Sequence, residues 1–422
     1  MPVEPSLVFV LLTLVPLALL MYSYAGYPAL LWALTRFPRR RRRAEAKPAS
    51  WPTVSVLVSA YNEELVIADR IENLLALDYP KNRLEILVGS DGSTDATAAI
   101  VNTYASRGVR LLPFVKRRGK ANVLNDLAAT ARGEILVLTD ANCAFEPDAV
   151  RQLVQDLVAD PRSCAVVGRL DLRGARNAGT LDTSYWRYET WLKTMESSLG
   201  AVLGANGAIY AIRRAQYVPL PRQAIVDDFI LPMSIRLRWG GHVVLQPAAR
   251  AWEVAPVRVQ HEFRRRTRIG SGDFQALRWT WRLLLPWRGP VAIVYLSHKV
   301  LRWLGPWFLL TSLLANLQLL ERPLFQALFV GQVGFYALAT AAGFVRRVPV
   351  LGLMAAAAQY FTVINAGLML GLVRLLLGRA RPFWATVPRE VPALLVASPA
   401  AMVGAPVASD SAEPAPSVPR AA

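Results

Sequence analysis

Short apolar runs alternate with helix-like patterns along the first half of the chain. Residues 54–59, 84–89 and 135–138 are rich in valine, leucine and isoleucine, and turn-forming residues follow each run. A short apolar run bounded in this way is typical of a buried parallel strand. Helical patterns at residues 65–77 and 96–106 follow the first two runs. This alternation predicts βαβ units, and therefore an α/β fold built on a parallel sheet.

Each of the three predicted strands ends in a cluster of polar residues. Tyr61 and Glu63 follow the first strand, Asp91 follows the second, and Asp140 and Asn142 follow the third. The carboxyl ends of parallel strands meet at one edge of the sheet, where ligands of open α/β sheets bind. Asp140 is therefore expected where a metal ion or a phosphate would lie. The alternative for Asp140 is an Asx turn that only closes the strand.

Four much longer apolar runs lie outside this region, at residues 7–34, 303–320, 324–345 and 350–377. About 20 residues of an apolar helix span a bilayer. The whole chain is 54% hydrophobic and only 18% charged, with a mean hydropathy of +0.29. These values exceed those of an ordinary soluble protein and indicate an integral membrane protein.

The net charge of +18 has two explanations. A basic surface would suit nucleic acid, whereas arginines beside apolar runs mark the cytoplasmic side of a membrane protein. The second explanation is favoured, because the arginines at 39–43 directly follow the first apolar run. A cleaved signal peptide carries its charge before the apolar run, so a retained anchor is predicted. Arginines flank the last run on both sides, which conflicts with a single crossing. A re-entrant segment, a surface-lying segment and a different number of crossings stay open.

These features divide the chain into seven predicted segments. They are an N-terminal transmembrane anchor (1–37), a basic cytoplasmic linker (38–50), the α/β domain (51–272), interfacial helices rich in tryptophan and arginine (273–302), a transmembrane region (303–378), a cytoplasmic-side segment (379–397) and a disordered tail (398–422). The tail is assigned from its proline, alanine and serine content. Cys143 and Cys164 have no metal-ligand spacing, and a disulfide between them is not expected in the cytosol.

The polar clusters, with Gly119-Lys120 and Leu124-Asn125 between the second and third, resemble the ordered motifs of family 2 glycosyltransferases. The chain is most similar to the membrane-bound synthases of cellulose, chitin, hyaluronan and poly-N-acetylglucosamine, over residues 54–389. The resemblance implies a cytoplasmic GT-A domain, which is Rossmann-like with a mostly parallel sheet. It also implies transfer of a sugar, with inversion, from a nucleotide-sugar donor.

The resemblance assigns roles on the donor side of the site. Tyr61, Glu63 and Asp91 are expected to hold the nucleoside, and Lys120 is expected near the ribose or the phosphates. The alternative for Lys120 is a solvated charge in the basic run 116–120. Arg268 is expected to bind the diphosphate through a bidentate contact.

A divalent cation, Mg²⁺ or Mn²⁺, is implied at Asp140 and Asn142. Mg²⁺ typically takes one or two carboxylates together with phosphate oxygens and water, and it neutralises charge on a leaving diphosphate. The family usually has Asp-x-Asp at this place, whereas this chain has Asn142 in the third position. An amide oxygen can coordinate a cation but adds no charge.

The acceptor side is assigned to two further stretches. Gly204, Asn206 and Gly207 form a glycine-rich segment that the family places beside the acceptor and donor sugars. Asp227 and Asp228 correspond to the family's acidic pair, whose second member is the catalytic base, so Asp228 is the predicted base. Acidic residues also favour the first turn of a helix for dipole reasons alone, which is the alternative for this pair.

One departure bears on the product. The polymer synthases carry Gln-x-x-Arg-Trp after the acidic pair, and here Arg265, Arg268 and Ile269 occupy the Gln, Arg and Trp positions. The missing tryptophan weakens the expectation of processive polymerisation. The sequence therefore predicts a multi-pass inner-membrane enzyme that uses a UDP-sugar donor and a growing polysaccharide or lipid-linked acceptor, with membrane lipid and not nucleic acid as its surroundings. The alternatives are a single-transfer glycolipid glycosyltransferase and a catalytically silent membrane subunit.

Overall fold

A computed structural model of the chain describes residues 5–36, 50–173, 180–254, 259–345 and 347–383. Most of the predicted basic linker, the predicted tail and the end of the predicted cytoplasmic-side segment lie outside these residues. The described residues contain one eight-stranded sheet, whose strands are β1 (Val54–Ala60), β2 (Leu84–Asp91), β3 (Val109–Phe114), β4 (Ile135–Asp140), β5 (Ala144–Phe145), β6 (Ser163–Arg173), β7 (Tyr210–Arg213) and β8 (His242–Val254).

The strands lie in the order β3-β2-β1-β4-β7-β6-β8-β5. The first four are mutually parallel, β7 runs antiparallel to both of its neighbours, and β6 pairs with β8 in parallel. The carboxyl ends of β1, β2 and β4 therefore lie at the same edge, as the sequence predicts. The predicted α/β fold with a mostly parallel sheet is confirmed.

Successive residues of the central strands point to opposite faces of the sheet, and both faces are buried. In β1, Val56 and Val58 face one hydrophobic core and Leu57 faces the other. Burial on both faces explains why these strands read as apolar runs without polar alternation. The helices of this domain are α3 (Ile67–Leu75), α4 (Thr97–Thr103), α5 (Lys120–Thr130), α6 (Ala149–Ala159), α7 (Thr180–Ser198) and α8 (Asp227–Trp239), which follow α1 (Pro5–Met21) and α2 (Tyr27–Thr35) at the N-terminus.

The strand β8 is not among the sequence-based predictions. Its segment contains Pro247, and its register against β6 shifts between Gly168 and Arg169, so that Gly168 is opposite Gln246 and Arg169 is opposite Arg250. A proline and a bulge interrupt the apolar pattern that would otherwise indicate a strand. This strand brings Glu253 to the edge of the candidate site.

After β8 the described chain is helical. Its helices are α9 (Val259–Thr280), α10 (Pro290–Val294), α11 (Leu301–Trp303), α12 (Gly305–Asn316), α13 (Pro323–Thr340), α14 (Ala342–Val345) and α15 (Pro349–Leu376). Among the residues that the structure describes, three helices are long and apolar enough to cross a membrane, namely Ser6–Thr35, Pro323–Thr340 and Pro349–Leu376. The pair Pro290–Trp303 and Gly305–Leu319, bent by 57°, would make a fourth if it forms one span. The predicted span at 303–320 corresponds to the second half of this pair.

The last long helix packs closely on α9, which carries Arg268. A Cβ atom added to Gly371 of α15 would stand 2.6 Å from the backbone nitrogen of Ser271, and the Ser271 hydroxyl donates to the Gly371 carbonyl at 2.8 Å. Small residues allow such a close approach of two backbones. The candidate membrane helix α15 therefore packs directly against the helix that carries Arg268.

Candidate active site

The loops after β1 and β2 are tied together by side-chain hydrogen bonds to the backbone. Asn62 has a φ of 52°, and its side-chain oxygen accepts from the Thr94 nitrogen at 2.9 Å. The Glu63 nitrogen donates to the Thr97 hydroxyl at 2.8 Å. Asparagine tolerates the left-handed region better than other non-glycine residues. The structure thus places Tyr61, Glu63 and Asp91 on adjacent, fixed loops.

The Asp91 carboxylate organises the loop that precedes α5. Its two oxygens accept from the backbone nitrogens of Arg118 and Gly119, at 2.6 and 2.9 Å. The guanidinium of Arg117, on the same loop, lies over the Tyr61 ring at 3.5 Å from its centroid. Arg117 is a residue that the sequence interpretation did not single out, because nothing in a basic run indicates which member stacks on a ring.

Lys120 connects the donor loops to the acidic pair. Its Nζ atom lies 2.7 Å from Asp140 Oδ1 and 3.1 Å from Asp227 Oδ2, and only 14% of its side chain is exposed. Burial would lower the pKa of Lys120, but the carboxylates of Asp140, Asp227 and Asp228 outweigh it and raise that pKa. Lys120 is therefore a buried, paired cation and not a solvated charge.

The glycine-rich loop passes close to two partly exposed carboxylates, Asp140 (33% of its side chain exposed) and Asp228, and their exposed side is called the opening below. A Cβ atom added to Gly207 would stand 3.0 Å from Asp140 Oδ2 and 3.5 Å from Asp228 Oδ2, and Gly207 has a φ of +68°. Gly204 (φ +70°) packs against Phe229 in the same way, with a Cβ position 2.9 Å from the ring. The amide of Asn206 donates to the Gly168 carbonyl at 3.0 Å and fixes the loop. A side chain at position 207 would press against both carboxylates, so only glycine lets the backbone approach Asp140 and Asp228 this closely.

Asp227 and Asp228 begin α8, at the position where their charges also suit the helix dipole. Asp227 is buried and faces Lys120. Asp228 keeps part of its surface open, and its backbone carbonyl accepts from the Ala205 nitrogen at 2.7 Å. Burial, with the added charges of Asp227 and Asp140, raises the pKa of Asp228 to about 6, against the opposing Lys120. A carboxylate with such a pKa suits general-base chemistry near neutral pH.

Arg268 approaches the same carboxylates from α9. Its Nη1 atom donates to the Ile225 carbonyl at 3.2 Å. Burial lowers the pKa of Arg268, while its interactions with Asp227, Asp228 and Asp140 act in the opposite direction. The arginine remains charged, because an arginine pKa starts far above neutral. The structure therefore brings Lys120, Arg268 and the three aspartates to one place.

A divalent cation fits this arrangement. The carboxylates of Asp140, Asp227 and Asp228 lie near the cations Lys120 and Arg268, and the charge of Lys193 also acts on Asp228. Asp140 Oδ2 faces the opening at Gly207, so it is available to a cation. No group of three or more His, Cys, Asp or Glu side chains with metal-binding geometry occurs among the described residues. A bound cation would therefore need phosphate oxygens and water as further ligands.

Asn142 has a partner that the sequence did not reveal. Its side-chain nitrogen donates to Glu253 Oε2 at 3.3 Å, so the amide is oriented by a carboxylate from β8. The amide oxygen accepts a weak hydrogen bond from the Cys143 thiol at 4.0 Å. Hydrogen bonds of this kind fix the orientation of a group that could coordinate a cation. Glu253 lies 111 residues from Asn142 along the chain, and only the fold brings them together.

Comparisons with known proteins agree with this geometry. Residues 55–218 match the domain described as Glycosyl transferase family 2. The chain is 32% identical over 238 residues to the probable glycosyltransferase YdaM of Bacillus subtilis, covering 53% of this chain and 55% of that protein. It is 25% identical over 232 residues to the poly-beta-1,6-N-acetyl-D-glucosamine synthase of Staphylococcus epidermidis, with the same coverage. The chain thus spans about half the length of the curated relatives it matches.

Among solved structures, the chain is similar to the mannosyltransferase PcManGT from Pyrobaculum calidifontis, which was solved in complex with GDP-Man and Mn²⁺. The TM-score is 0.65 at 24% sequence identity, and the match covers 87% of this chain and 99% of that one. At this identity the likeness establishes the fold. Residues 55–218 therefore match a family 2 glycosyltransferase domain, and the structural likeness gives this domain the GT-A fold.

Proposed function

We propose that this chain is an inverting glycosyltransferase that moves a sugar from a UDP-sugar to an acceptor held at the inner membrane. The acceptor is a growing polysaccharide or a lipid-linked sugar. The observation that carries the proposal is the convergence at Gly207, where Asp140 and Asp228 border one opening and Lys120 pairs with Asp140. This arrangement supports a role for Asp140 in cation binding and for Asp228 as the base.

The proposed reaction uses the groups around this opening. Asp228 accepts the proton of the acceptor hydroxyl as its oxygen attacks the anomeric carbon. The bond between that carbon and the donor diphosphate breaks on the opposite side, which inverts the configuration. Arg268 and Lys120 hold the negative charge of the departing diphosphate. A divalent cation at Asp140 and Asn142, when bound, would neutralise further charge on the same group.

The donor assignments follow the positions of the loops. Tyr61 and Glu63 lie on the loop after β1, and Asp91 is the last residue of β2. A nucleoside would bind at this edge of the sheet. Arg117 stacks on one face of the Tyr61 ring. Stacking on such a ring accepts any nucleobase, so the proposal of a uridine nucleotide rests on the resemblance.

The acceptor is framed by Gly204, Asn206, Gly207 and Asp227. Ile269 occupies the position at which the polymer synthases carry tryptophan, and this favours a single transfer to a lipid-linked acceptor. The named synthase of Staphylococcus epidermidis favours polymer formation. The candidate membrane helices suit either acceptor, and they support the proposed multi-pass anchoring with a cytoplasmic catalytic domain at 51–272.

The test is transfer by the purified full chain. The protein is incubated with radiolabelled UDP-glucose, UDP-N-acetylglucosamine and GDP-mannose in the presence of membrane lipid, and the product is sized. We expect incorporation from a UDP-sugar, its loss in EDTA and its return with Mn²⁺ or Mg²⁺. Asp140→Asn should lose transfer and Mn²⁺ binding together, the latter read by electron paramagnetic resonance with UDP present. A chain that binds UDP without any turnover would instead be a silent subunit.

A further inference from the structure

Arg70 places a charge on the buried face of an amphipathic helix. The apolar residues Ile67 and Ile71 share this face of α3, and only 3% of Arg70 is exposed. Burial lowers the pKa of Arg70 to about 10, against the opposing effects of Cys143 and Asp140, so the side chain is charged at neutral pH. Burying a charge is costly unless the charged group is paired or hydrogen-bonded. The contacts of this guanidinium must therefore offset a large desolvation cost.

The guanidinium of Arg70 contacts neutral groups. Its Nη2 atom donates to the Thr139 hydroxyl at 2.7 Å, and its Nη1 atom donates to the side-chain oxygen of Asn73 at 2.7 Å. It also lies over the Phe145 ring, 4.2 Å from the ring centroid. In the part of the chain that the structure describes, no carboxylate forms an ion pair with Arg70. Dipoles and a ring face therefore stabilise this charge, and not a counterion in direct contact.

These contacts hold both ends of the segment that carries the candidate cation ligands. Thr139 immediately precedes Asp140, and Phe145 follows Asn142 by three residues. Asn73 strengthens the hold on Phe145, because its side-chain oxygen accepts from the Phe145 nitrogen at 2.8 Å and its side-chain nitrogen donates to the Phe145 carbonyl at 2.9 Å. The arginine therefore fixes the chain on either side of the two candidate ligands.

The Thr139 hydroxyl extends this connection to the glycine-rich loop. It donates to the Ala208 carbonyl at 2.6 Å, and Ala208 immediately follows Gly207. Thr139 and Ala208 are both buried, so water does not compete for this bond. A hydroxyl group can accept one hydrogen bond and donate another at the same time. A buried relay of guanidinium, hydroxyl and carbonyl thus joins the end of β4 to the loop beside Asp228.

We propose that Arg70 is a positioning residue for the segment 139–145, which carries the candidate cation ligands. Through the Thr139 hydroxyl it also keeps that segment in register with the loop at Gly207. This inference rests on the proposed function and adds a residue to its site. Arg70 acts through other groups, so its loss alters where the candidate ligands stand and not which atoms react.

The test uses the full chain in detergent. Mn²⁺ affinity is measured by electron paramagnetic resonance with UDP present, UDP affinity is measured in EDTA, and kcat is measured with the UDP-sugar that the parent chain transfers. Thr139→Val keeps the shape of the side chain and removes its hydroxyl. It should lower Mn²⁺ affinity and kcat by about 10–100-fold each, the loss typical when a group that orients metal ligands is removed. Thr139→Ser should restore both, because it keeps the hydroxyl.

UDP affinity in EDTA separates positioning from general damage. The loops after β1 and β2 are held by their own hydrogen bonds, so Thr139→Val should bind UDP in EDTA like the parent chain. Thr130→Val is the matched control, because the Thr130 hydroxyl bonds within its own helix, to the Asp126 carbonyl at 2.7 Å. It should match the parent chain in all three measurements. Loss of UDP binding in EDTA together with Mn²⁺ affinity in Thr139→Val would contradict a positioning role.

Arg70 itself is tested against Arg213, which lies at the opposite edge of the sheet. Arg213 is opposite Ile135, the first residue of β4, and its guanidinium donates to the backbone carbonyls of Ser163 and Leu157. Arg70→Met and Arg213→Met should both unfold at a lower temperature than the parent chain. Only Arg70→Met should lose Mn²⁺ affinity, and Arg70→Lys should recover part of it. An equal loss of Mn²⁺ affinity in Arg213→Met would attribute the effect to stability alone and contradict the proposal.

The parent chain and Thr139→Val together separate this inference from the proposed function. A parent chain with neither Mn²⁺ binding nor transfer would overturn the proposed function and this inference with it. A parent chain with both activities, matched by Thr139→Val in Mn²⁺ affinity and kcat, would overturn the positioning role alone.

Discussion

Charged side chains at the membrane junction are directly paired, whereas those around Gly207 leave one face open. At the junction, the Tyr27 hydroxyl donates to Glu196 Oε1 at 2.7 Å, and His298 stands between Glu196 and Glu189. Arg302 completes the set through its 2.7 Å bond to Glu189. All five side chains are buried. This cluster joins the N-terminal apolar helix, α7 and the bent helix pair.

The cluster at the site has the opposite character. Lys120 pairs with Asp140 Oδ1 and Asp227, but Asp140 Oδ2 and Asp228 face the opening at Gly207. Burial among like charges is what raises the pKa of Asp228. We infer that the closed network, in which charged groups are paired with one another, stabilises the fold. The partly exposed carboxylates at the site are those available for the reaction. Breaking the first should cost stability, and breaking the second should cost turnover.

The largest expected effect on stability is at Arg302. Arg302→Met would leave the buried Glu189 carboxylate with the His298 ring nitrogen as its remaining direct contact. Removing one partner of a buried ion pair typically costs about 3–5 kcal/mol. Thermal unfolding in detergent should shift to a clearly lower temperature. The control is Arg322→Met, at an exposed arginine, and equal unfolding temperatures for the two variants would refute the closed-network account.

The next effect is on turnover. Gly207→Ala would place a Cβ atom 3.0 Å from Asp140 Oδ2, in the opening itself. A displacement of about 1 Å at a reacting centre can cost on the order of 100-fold in rate. Gly240→Ala is the matched control, because Gly240 has a similar φ of +73° with nothing within 4 Å of its Cβ position. Equal sugar-transfer rates in the two variants would show that backbone strain, and not the opening, governs activity.

A smaller effect concerns pH. The base must be ionised to accept a proton, and the pKa of Asp228 is raised to about 6. The transfer rate should therefore rise by about tenfold per pH unit up to about pH 6 and level off above about pH 7. Asp273→Asn should leave this rise near the same pH, which separates Asp228 from the neighbouring carboxyl. A rate that is constant from about pH 5 to pH 7 would contradict the assignment.

The donor side of the site follows from local sequence. Strands β1, β2 and β4 are apolar runs that end in polar clusters, so their edge position could be predicted from spacing alone. Asp140 and Asp91 lie where the pattern predicts them. The nucleoside and metal roles came from the resemblance, and they stay predictions.

The acceptor side depends on contacts that no local pattern records. Glu253 reaches Asn142 because a bulged strand with a proline joins the sheet edge. The backbone at Gly207 is left-handed, with a φ of +68°. The sequence shows that a glycine can adopt this conformation, but it does not show what lies beside it.

The measurement that tests the central claim most directly compares transfer and UDP binding on purified Asp228→Asn, Asp227→Asn and Arg268→Ala. Asp228→Asn keeps the shape of the side chain and removes its basicity, so transfer should fall by about 10²–10⁴. Its UDP affinity should stay near that of the parent. Its unfolding temperature should not fall, because the substitution removes a carboxylate whose burial raises its pKa. Asp227→Asn should be milder in transfer, and Arg268→Ala should weaken UDP binding. Loss of UDP binding together with transfer in Asp228→Asn, or greater damage in Asp227→Asn, would contradict Asp228 as the base.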